Sequence, residues 1–263
     1  MDRRTVALRH IEPYVERARA FRGWSFGDVD VRRLEPGPPW DYEVTAREHA
    51  SIASDLLDLG TGGGEVLARV IRGLPVRAVA TEEWKVNTPV ARDRLAAQGV
   101  PVIRCSSLAL PFRAAAFDLV LDRHEALSPA EVVRILRPGG SLVTQQCGHD
   151  DWAELWPFFP NRVEFDDHCR AYVDGLRAAG MTVAAARHHR KVALGTLGDL
   201  VFMLLLQPWW LPCFDPVRDI DTLLVVEDAL RTEHGIVLTE SRYLLTATKP
   251  RSAAADDVIA ERG

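Results

Sequence analysis

Leu56-Leu57-Asp58-Leu59-Gly60-Thr61-Gly62-Gly63-Gly64-Glu65 reads as a buried strand that ends in a glycine-rich turn and opens a helix. Glycine lifts the steric limits on backbone angles, so such a turn lets a ligand approach the chain closely, and the helix start leaves free N–H groups facing it. Beyond it, Glu82 follows the apolar run 76–80, which suits the next parallel strand. A carboxylate at that position can accept bonds from both hydroxyls of a ribose. The stretch predicts a nucleoside cofactor held at the end of a sheet.

Working outward, the pattern alternates by element type. Strand 56–59 leads to helix 64–71, strand 76–80 to helix 87–98, and 102–103 is a short third strand. Strand 117–121, helix 129–136, the turn Pro138-Gly139-Gly140 and strand 141–145 follow. Short apolar strands separated by helices imply right-handed crossovers. The expected fold class is α/β and Rossmann-like: a mostly parallel central sheet of about seven strands with helices on both faces. Later, helix 168–179 stops at Gly180, 181–186 is a strand, and 243–248 is the last strand before Lys249-Pro250. Helices are expected around 197–206 and 217–232 in the insertion between those strands. In the first fifty residues, the breaker Pro36-Gly37-Pro38-Pro39 separates a helix over 5–22 from one over 45–54, where Thr45 and Glu48 have capping-box spacing. The expected division is an N-terminal helical extension (1–50), a cofactor-binding core (51–190 with 242–250), a helical lid (191–241) and a flexible tail (251–263).

With 263 residues the chain can bury a sizeable core. Its formal charge of −5 gives no global attraction to polyanions, which disfavours a nucleic-acid partner. Cys105, Cys147, Cys169 and Cys213 are far apart and form no CxxC pair, the usage of free thiols in a reducing compartment rather than a zinc site. Met1-Asp2-Arg3-Arg4 lacks a following apolar block, so no signal peptide is expected. The greasiest stretch, 200–206, is too short to span a bilayer; it reads either as a helix buried in the core or as a lid over an apolar substrate. A cytoplasmic monomer or homodimer is the expectation.

In these motifs the sequence resembles the class I S-adenosylmethionine-dependent methyltransferases, in particular the type 11 group with small-molecule members. The matching pieces are Leu57-Asp58-Leu59-Gly60-Thr61-Gly62-Gly63-Gly64, Glu82, Leu110-Pro111-Phe112, Phe117-Asp118-Leu119-Val120 and Leu136-Arg137-Pro138-Gly139-Gly140-Ser141-Leu142, in family order. Glu65 stands where a dinucleotide loop keeps its third small residue, which also favours the methyltransferase loop. The resemblance implies S-adenosylmethionine as cofactor, S-adenosylhomocysteine as product, and no metal. It implies that Gly60, Thr61 and Gly62 carry the backbone against the methionine and ribose, that Asp58 orders the loop or reaches the amino group, and that Glu82 takes the ribose hydroxyls. Ser106 stands where similar members place an aspartate for the adenine amino group, a loss on the order of 1 kcal/mol. Ser107, Leu108, Glu83 and Trp84 are then left to hold adenine, and Arg123 also falls on the cofactor side.

Methyl transfer from a sulfonium needs alignment, exclusion of water and sometimes removal of a proton. At the end of the fourth core strand, Asp122-Arg123-His124-Glu125 offers His124 as general base with Glu125 or Asp122 orienting it; the alternative is a histidine that only hydrogen-bonds to cofactor or main chain. Gln146 and His149 form a second polar rim that either touches the acceptor or satisfies backbone groups where the sheet opens. Seven tryptophans are many for this length, and Trp40, Trp152, Phe202 and Trp209 are candidates to wall an apolar acceptor cavity. The basic run Arg187-His188-His189-Arg190-Lys191 reads as a solvated strand end or a receptor for an acidic group; its two histidines point to opposite faces and make a poor metal pair. The leading reading is methyl transfer to a small, largely apolar or aromatic acceptor, in secondary metabolism. An RNA base methyltransferase and a non-catalytic, cofactor-binding regulatory protein are the alternatives.

Overall fold

The computed structural model describes residues 2–27 and 29–251, so of the expected tail only Arg251 lies among the described residues. Asp2 caps α1 (Arg3–Ala20) by accepting from Thr5 N. A short edge strand β1 (Val31–Arg33), which no apolar run announces, precedes α2 (Tyr42–Ile52). The cap of α2 is Asp41, whose carboxylate accepts from Glu43 N and Val44 N. Thr45, the expected cap, lies inside the helix and donates to Asp41 O. Aspartate at the first extended position satisfies the orphan amides one turn earlier.

The Rossmann-like half follows the sequence closely. It comprises β2 (Asp55–Leu59), α3 (Glu65–Val70), β3 (Arg77–Thr81), α4 (Asn87–Ala96), β4 (Val102–Ile103), β5 (Phe117–Arg123), α5 (Pro129–Ile135) and β6 (Leu136–Cys147). These strands pair in parallel in the order β4-β3-β2-β5-β6. The chain reverses direction across the sheet between β2 and β5, and a crevice opens at such a switch point beyond the strands' carboxyl ends.

The expectation of a mostly parallel sheet is corrected by the second half. After α6 (His168–Ala178), β7 (Thr182–Leu194) pairs antiparallel along its whole length with β9 (Gly235–Thr248). β9 in turn pairs antiparallel with β6, β1 with β7, and the two-residue β8 (Arg231–Thr232) with β9. The sheet is therefore mixed, nine-stranded among the described residues, in the order β1-β7-β9-β6-β5-β2-β3-β4 with β8 off β9. Both long strands extend well past their apolar segments. The basic run lies inside β7, and its fixed charges are matched, Arg187 to Asp167, Arg190 to Glu240 and Lys191 to Glu154, while His189 Nε2 lies 2.8 Å from Asp150 Oδ2. His188 instead meets Pro36 O on the other face, as strand alternation requires.

Between those strands lie α7 (Leu197–Leu205), which starts with a Thr196–Asp199 capping box, and α8 (Ile220–Leu230). α7 takes the buried alternative: Leu200, Val201, Phe202 and Leu204 share a core cluster with Ala7 and Ile11 of α1. Each such apolar side chain contributes about 1.5–3 kcal/mol when fully buried. Two further clusters cover the two faces of the parallel half, one with α2 and α3 and one with α5 and α6. No helix among the described residues is long and apolar enough to cross a membrane.

Candidate functional site

The glycine loop closes β2. Gly60 and Gly62 hold positive φ, 56° and 63°, where a side chain is strained, and the loop is pinned to β3 by Thr61 N donating to Thr81 O at 2.8 Å. Glu82, just beyond β3, is buried and tied to the loop. Its Oε2 accepts from Gly62 N at 2.7 Å and its Oε1 from Trp84 N at 2.9 Å. Each oxygen retains a second lone pair for a ligand hydroxyl.

From β5 comes the opposite wall. Glu125 lies against the loop, so that a Cβ at Gly60 would fall 2.5 Å from its Cγ, and its Oε1 accepts from Ser107 Oγ at 3.1 Å. Asp122 is fully buried and accepts from Glu125 N (3.2 Å), Thr144 Oγ1 (3.2 Å) and Gln146 Nε2 (2.9 Å). Gln146 also donates to Glu125 O at 2.7 Å, so its amide orders the β5 turn. Asp58, at the end of β2, is buried beside Tyr42, whose hydroxyl burial and the Asp58 and Asp122 charges keep protonated.

Four carboxylates thus converge on one crevice, and burial raises them all. Asp58 and Glu82 are each pushed up to about 7, chiefly by loss of solvent, with the Glu82 charge adding to the rise at Asp58 and the Glu125 and Glu83 charges to that at Glu82. Asp122 is driven well above the usual carboxylate range and Glu125 is raised, again chiefly by burial. A permanently cationic ligand relieves that crowding, because its charge favours the ionised forms. The donor set fits S-adenosylmethionine in this respect: glycine backbone for close approach, a carboxylate for the ribose, and acidic surroundings for sulfonium and ammonium.

His124 is one of three described non-glycine residues with positive φ, at 65°. Its N–H donates to Gln145 O at 2.9 Å, which fixes the turn, and its Nδ1 lies 3.6 Å from Cys147 Sγ. Desolvation and the Arg242 and Arg123 charges push its pKa well below the ordinary value, so the imidazole is neutral and a weaker base than a free histidine. Cys147, at the end of β6, is an exposed free thiol. Beyond it, Arg242 donates to Asp151 (2.7 Å) and Glu240 (3.1 Å), a charge-balanced group in the antiparallel strands.

The structure therefore brings Asp58, Gly60, Thr61, Gly62, Glu82, Ser107 and Glu125 together, with His124 at the same strand end. Ser106 accepts from Leu108 N at 3.4 Å in a turn beside them; Leu108 and Glu83 are exposed. Arg123 is exposed and lies over the Tyr42 ring at 5.9 Å. Trp40 donates from Nε1 to Gln145 Oε1 at 2.9 Å, which holds the proline-rich segment over β6. His149 lies apart from the loop, with Asp150 4.0 Å away. Trp152 and Phe202 are inside the α1/α7 cluster, Phe202 under the Arg17 guanidinium, whereas Trp209 is exposed. Trp24 and Tyr42, two of the aromatics outside the core strands that the sequence offers as acceptor-cavity wall, approach the glycine loop instead, as does Asn87, which no local spacing links to it. Among the described residues no group of three or more His, Cys, Asp or Glu is placed to hold a metal.

Comparison with known proteins agrees with this geometry. Residues 57–144 match a family model described as a methyltransferase domain. Over 192 residues the chain is 27% identical to the ubiquinone/menaquinone biosynthesis C-methyltransferase UbiE of Desulfotalea psychrophila, covering 60% of this chain and 77% of that one. A functionally unknown protein of Deinococcus radiodurans R1 superposes with a TM-score of 0.60 at 17% identity, over 90% of this chain and 98% of the other. The cyclase SpnF does so with a TM-score of 0.55, also at 17% identity, over 95% and 96%. At such identities the two structures establish the fold. The chain has a class I S-adenosylmethionine-dependent methyltransferase-like fold, in which residues 57–144 match the methyltransferase-domain model, and S-adenosylmethionine-dependent methyl transfer is the enzymatic activity that these matches support.

Proposed function

We propose that this chain methylates a small, largely apolar or aromatic acceptor that sits beside His124 at the carboxyl ends of β5 and β6. The observation that carries the reading is an imidazole in a strained left-handed turn, φ 65°, next to Glu125, whose side chain lies on Gly60. When bound, S-adenosylmethionine supplies a methyl group already activated by its sulfonium. Glu82 holds the ribose, the Gly60–Gly62 backbone lies along the cofactor, and Asp58, Asp122 and Glu125 balance its positive charge. Ser107, Ser106, Leu108 and Glu83 border the adenine side.

His124 takes the acceptor proton through its imidazole, and Gln145 O fixes the turn that aims it. Glu125 is better suited to the cofactor than to orienting His124, since its carboxylate is bonded to Ser107 and Ala126 N. Trp40 and Trp209 are accessible candidates for the acceptor wall; Trp152 and Phe202 support it from behind. The relative's name, a C-methyltransferase of ubiquinone and menaquinone biosynthesis, favours an acceptor of ring type. The formal charge of −5 disfavours the RNA alternative. Incubation with methyl-labelled S-adenosylmethionine and separate small-molecule and RNA fractions of a cell extract tests the reading. Label is expected in a small, organic-extractable product; label in RNA, or in neither fraction, contradicts it.

A further inference from the structure

Between α1 and β1 the chain lays a short strap on the glycine loop. Gly23 N donates to Asn87 Oδ1 at 2.9 Å, Asn87 Nδ2 returns a bond to Gly23 O at 3.4 Å, and Trp24 N points to Glu65 Oε1 at 3.4 Å. Asn87 is buried at the start of α4, and its side-chain oxygen and nitrogen both bond to this strap. Trp24 then stands directly on the loop: a Cβ added to Gly62 would meet Trp24 Cβ at 3.0 Å. Its indole meets Trp84 edge-on at 6.0 Å and approaches Trp209 at 6.3 Å. Trp84 N holds the same Glu82 carboxylate that holds Gly62 N. One side chain therefore touches the loop, the turn after the ribose-binding acid, and the segment after α7.

The contact is built to open. The strap has no helix or strand of its own, and Gly23 makes its corner at φ 76°. Trp24 also packs on Phe21 and Phe26 of its own segment, at 6.1 and 5.4 Å, while its partners across the crevice, Trp84 and Trp209, are 43% and 54% exposed and leave little core behind when they part. The elements on either side are anchored far more firmly, α1 against α7 and β1 on β7. Segments with few buried apolar contacts and few backbone bonds open at the lowest free energy.

On the reading of the crevice as the cofactor site, we propose that Gly23–Trp24 is an intramolecular plug. Trp24 covers Gly62 in the resting chain, and an adenosine-bearing ligand enters, or leaves as product, only when the strap lifts. Lifting breaks the Gly23–Asn87 pair and the Trp24–Trp209 contact together, so the segment after α7 is released by the same event that opens the crevice.

Two measurements on the full chain test this, with S-adenosylhomocysteine as the probe. Surface plasmon resonance should show association and dissociation rates both rising about tenfold in Trp24→Ala and in Asn87→Ala, with Kd moving less than about threefold, the signature of a removed gate. A faster dissociation alone would make Trp24 a wall that grips the ligand, and unchanged rates would make the strap inert; either overturns the plug. Tryptic cleavage after Arg22 in the wild type should be unchanged or slower when the probe saturates, because the strap closes again over bound ligand, and faster cleavage would mean that ligand displaces the strap, which counts against the gate. Failure of the wild type to bind at all would instead bring down the cofactor reading and the plug with it, whereas a mistaken plug leaves wild-type binding intact.

Discussion

His124 carries the chemistry at the scale of single residues. The half-buried imidazole, which desolvation and the charges of Arg242 and Arg123 keep well below the ordinary pKa, stays unprotonated near neutrality, so kcat should show no acidic limb near pH 6.5 from this group. His124→Asn keeps the ring's approximate shape and loses the base. It is expected to bind S-adenosylhomocysteine normally while kcat falls by about 10²–10⁴-fold for an acceptor that must lose a proton. Near-normal turnover in a steady-state assay would remove His124 from that role. The carboxylates make a separate prediction about binding. Asp58 and Glu82 are raised to about 7, so below that pH they hold protons that a cationic ligand displaces. Affinity for S-adenosylmethionine should therefore rise from about pH 6 to about pH 8 and protons should be released on binding. Calorimetry at pH 6.5 in two buffers of different ionisation heat measures that release; equal heats in both would contradict it.

Among elements, legibility followed how local the determinant is. β2 and β5 are short, apolar and bounded by turns, and α5 announces itself with Ser128 and Pro129, so sequence and structure agree there to within a residue or two. The apolar pattern of β7 ends at Ala186 because Arg187 to Lys191 offer no apolar face; what keeps them in the sheet is pairing with β9 and acids from Asp150, Glu154, Asp167 and Glu240. No local pattern encodes a strand whose partners lie fifty residues away. α7 was recognisable as a helix, but its burial against α1 depends on Gly198, which lets the Tyr14 ring press against the helix backbone. Phe202→Ala should accordingly destabilise the fold by about 3–5 kcal/mol, through loss of transfer energy and a residual cavity beneath Arg17. Chemical denaturation checks this; a loss under about 1 kcal/mol would mean that α7 packs loosely and can serve as a mobile cover.

Across the whole molecule, the parallel half supplies the crevice and the antiparallel half supplies its far wall. Gly60, Gly62, Glu82 and the end of β5 were legible because a glycine turn after a strand and an acid after the next strand have one reason to occur together. The places of Trp24 and Tyr42 beside them were not, since both reach the crevice from the N-terminal extension through contacts that only the folded chain creates. The mixed sheet also explains why the second half resembled an insertion: its strands are polar on the face where charges pair across β7 and β9.

The central claim is that the glycine loop and Glu82 hold S-adenosylmethionine. Equilibrium titration of the wild type beside Glu82→Gln measures it most directly. One saturable site is predicted, weakened at least about tenfold by the substitution, since a neutral amide loses both the charge and an acceptor for the ribose. Wild-type chain that shows no saturable binding, or two proteins of equal affinity, would contradict the account.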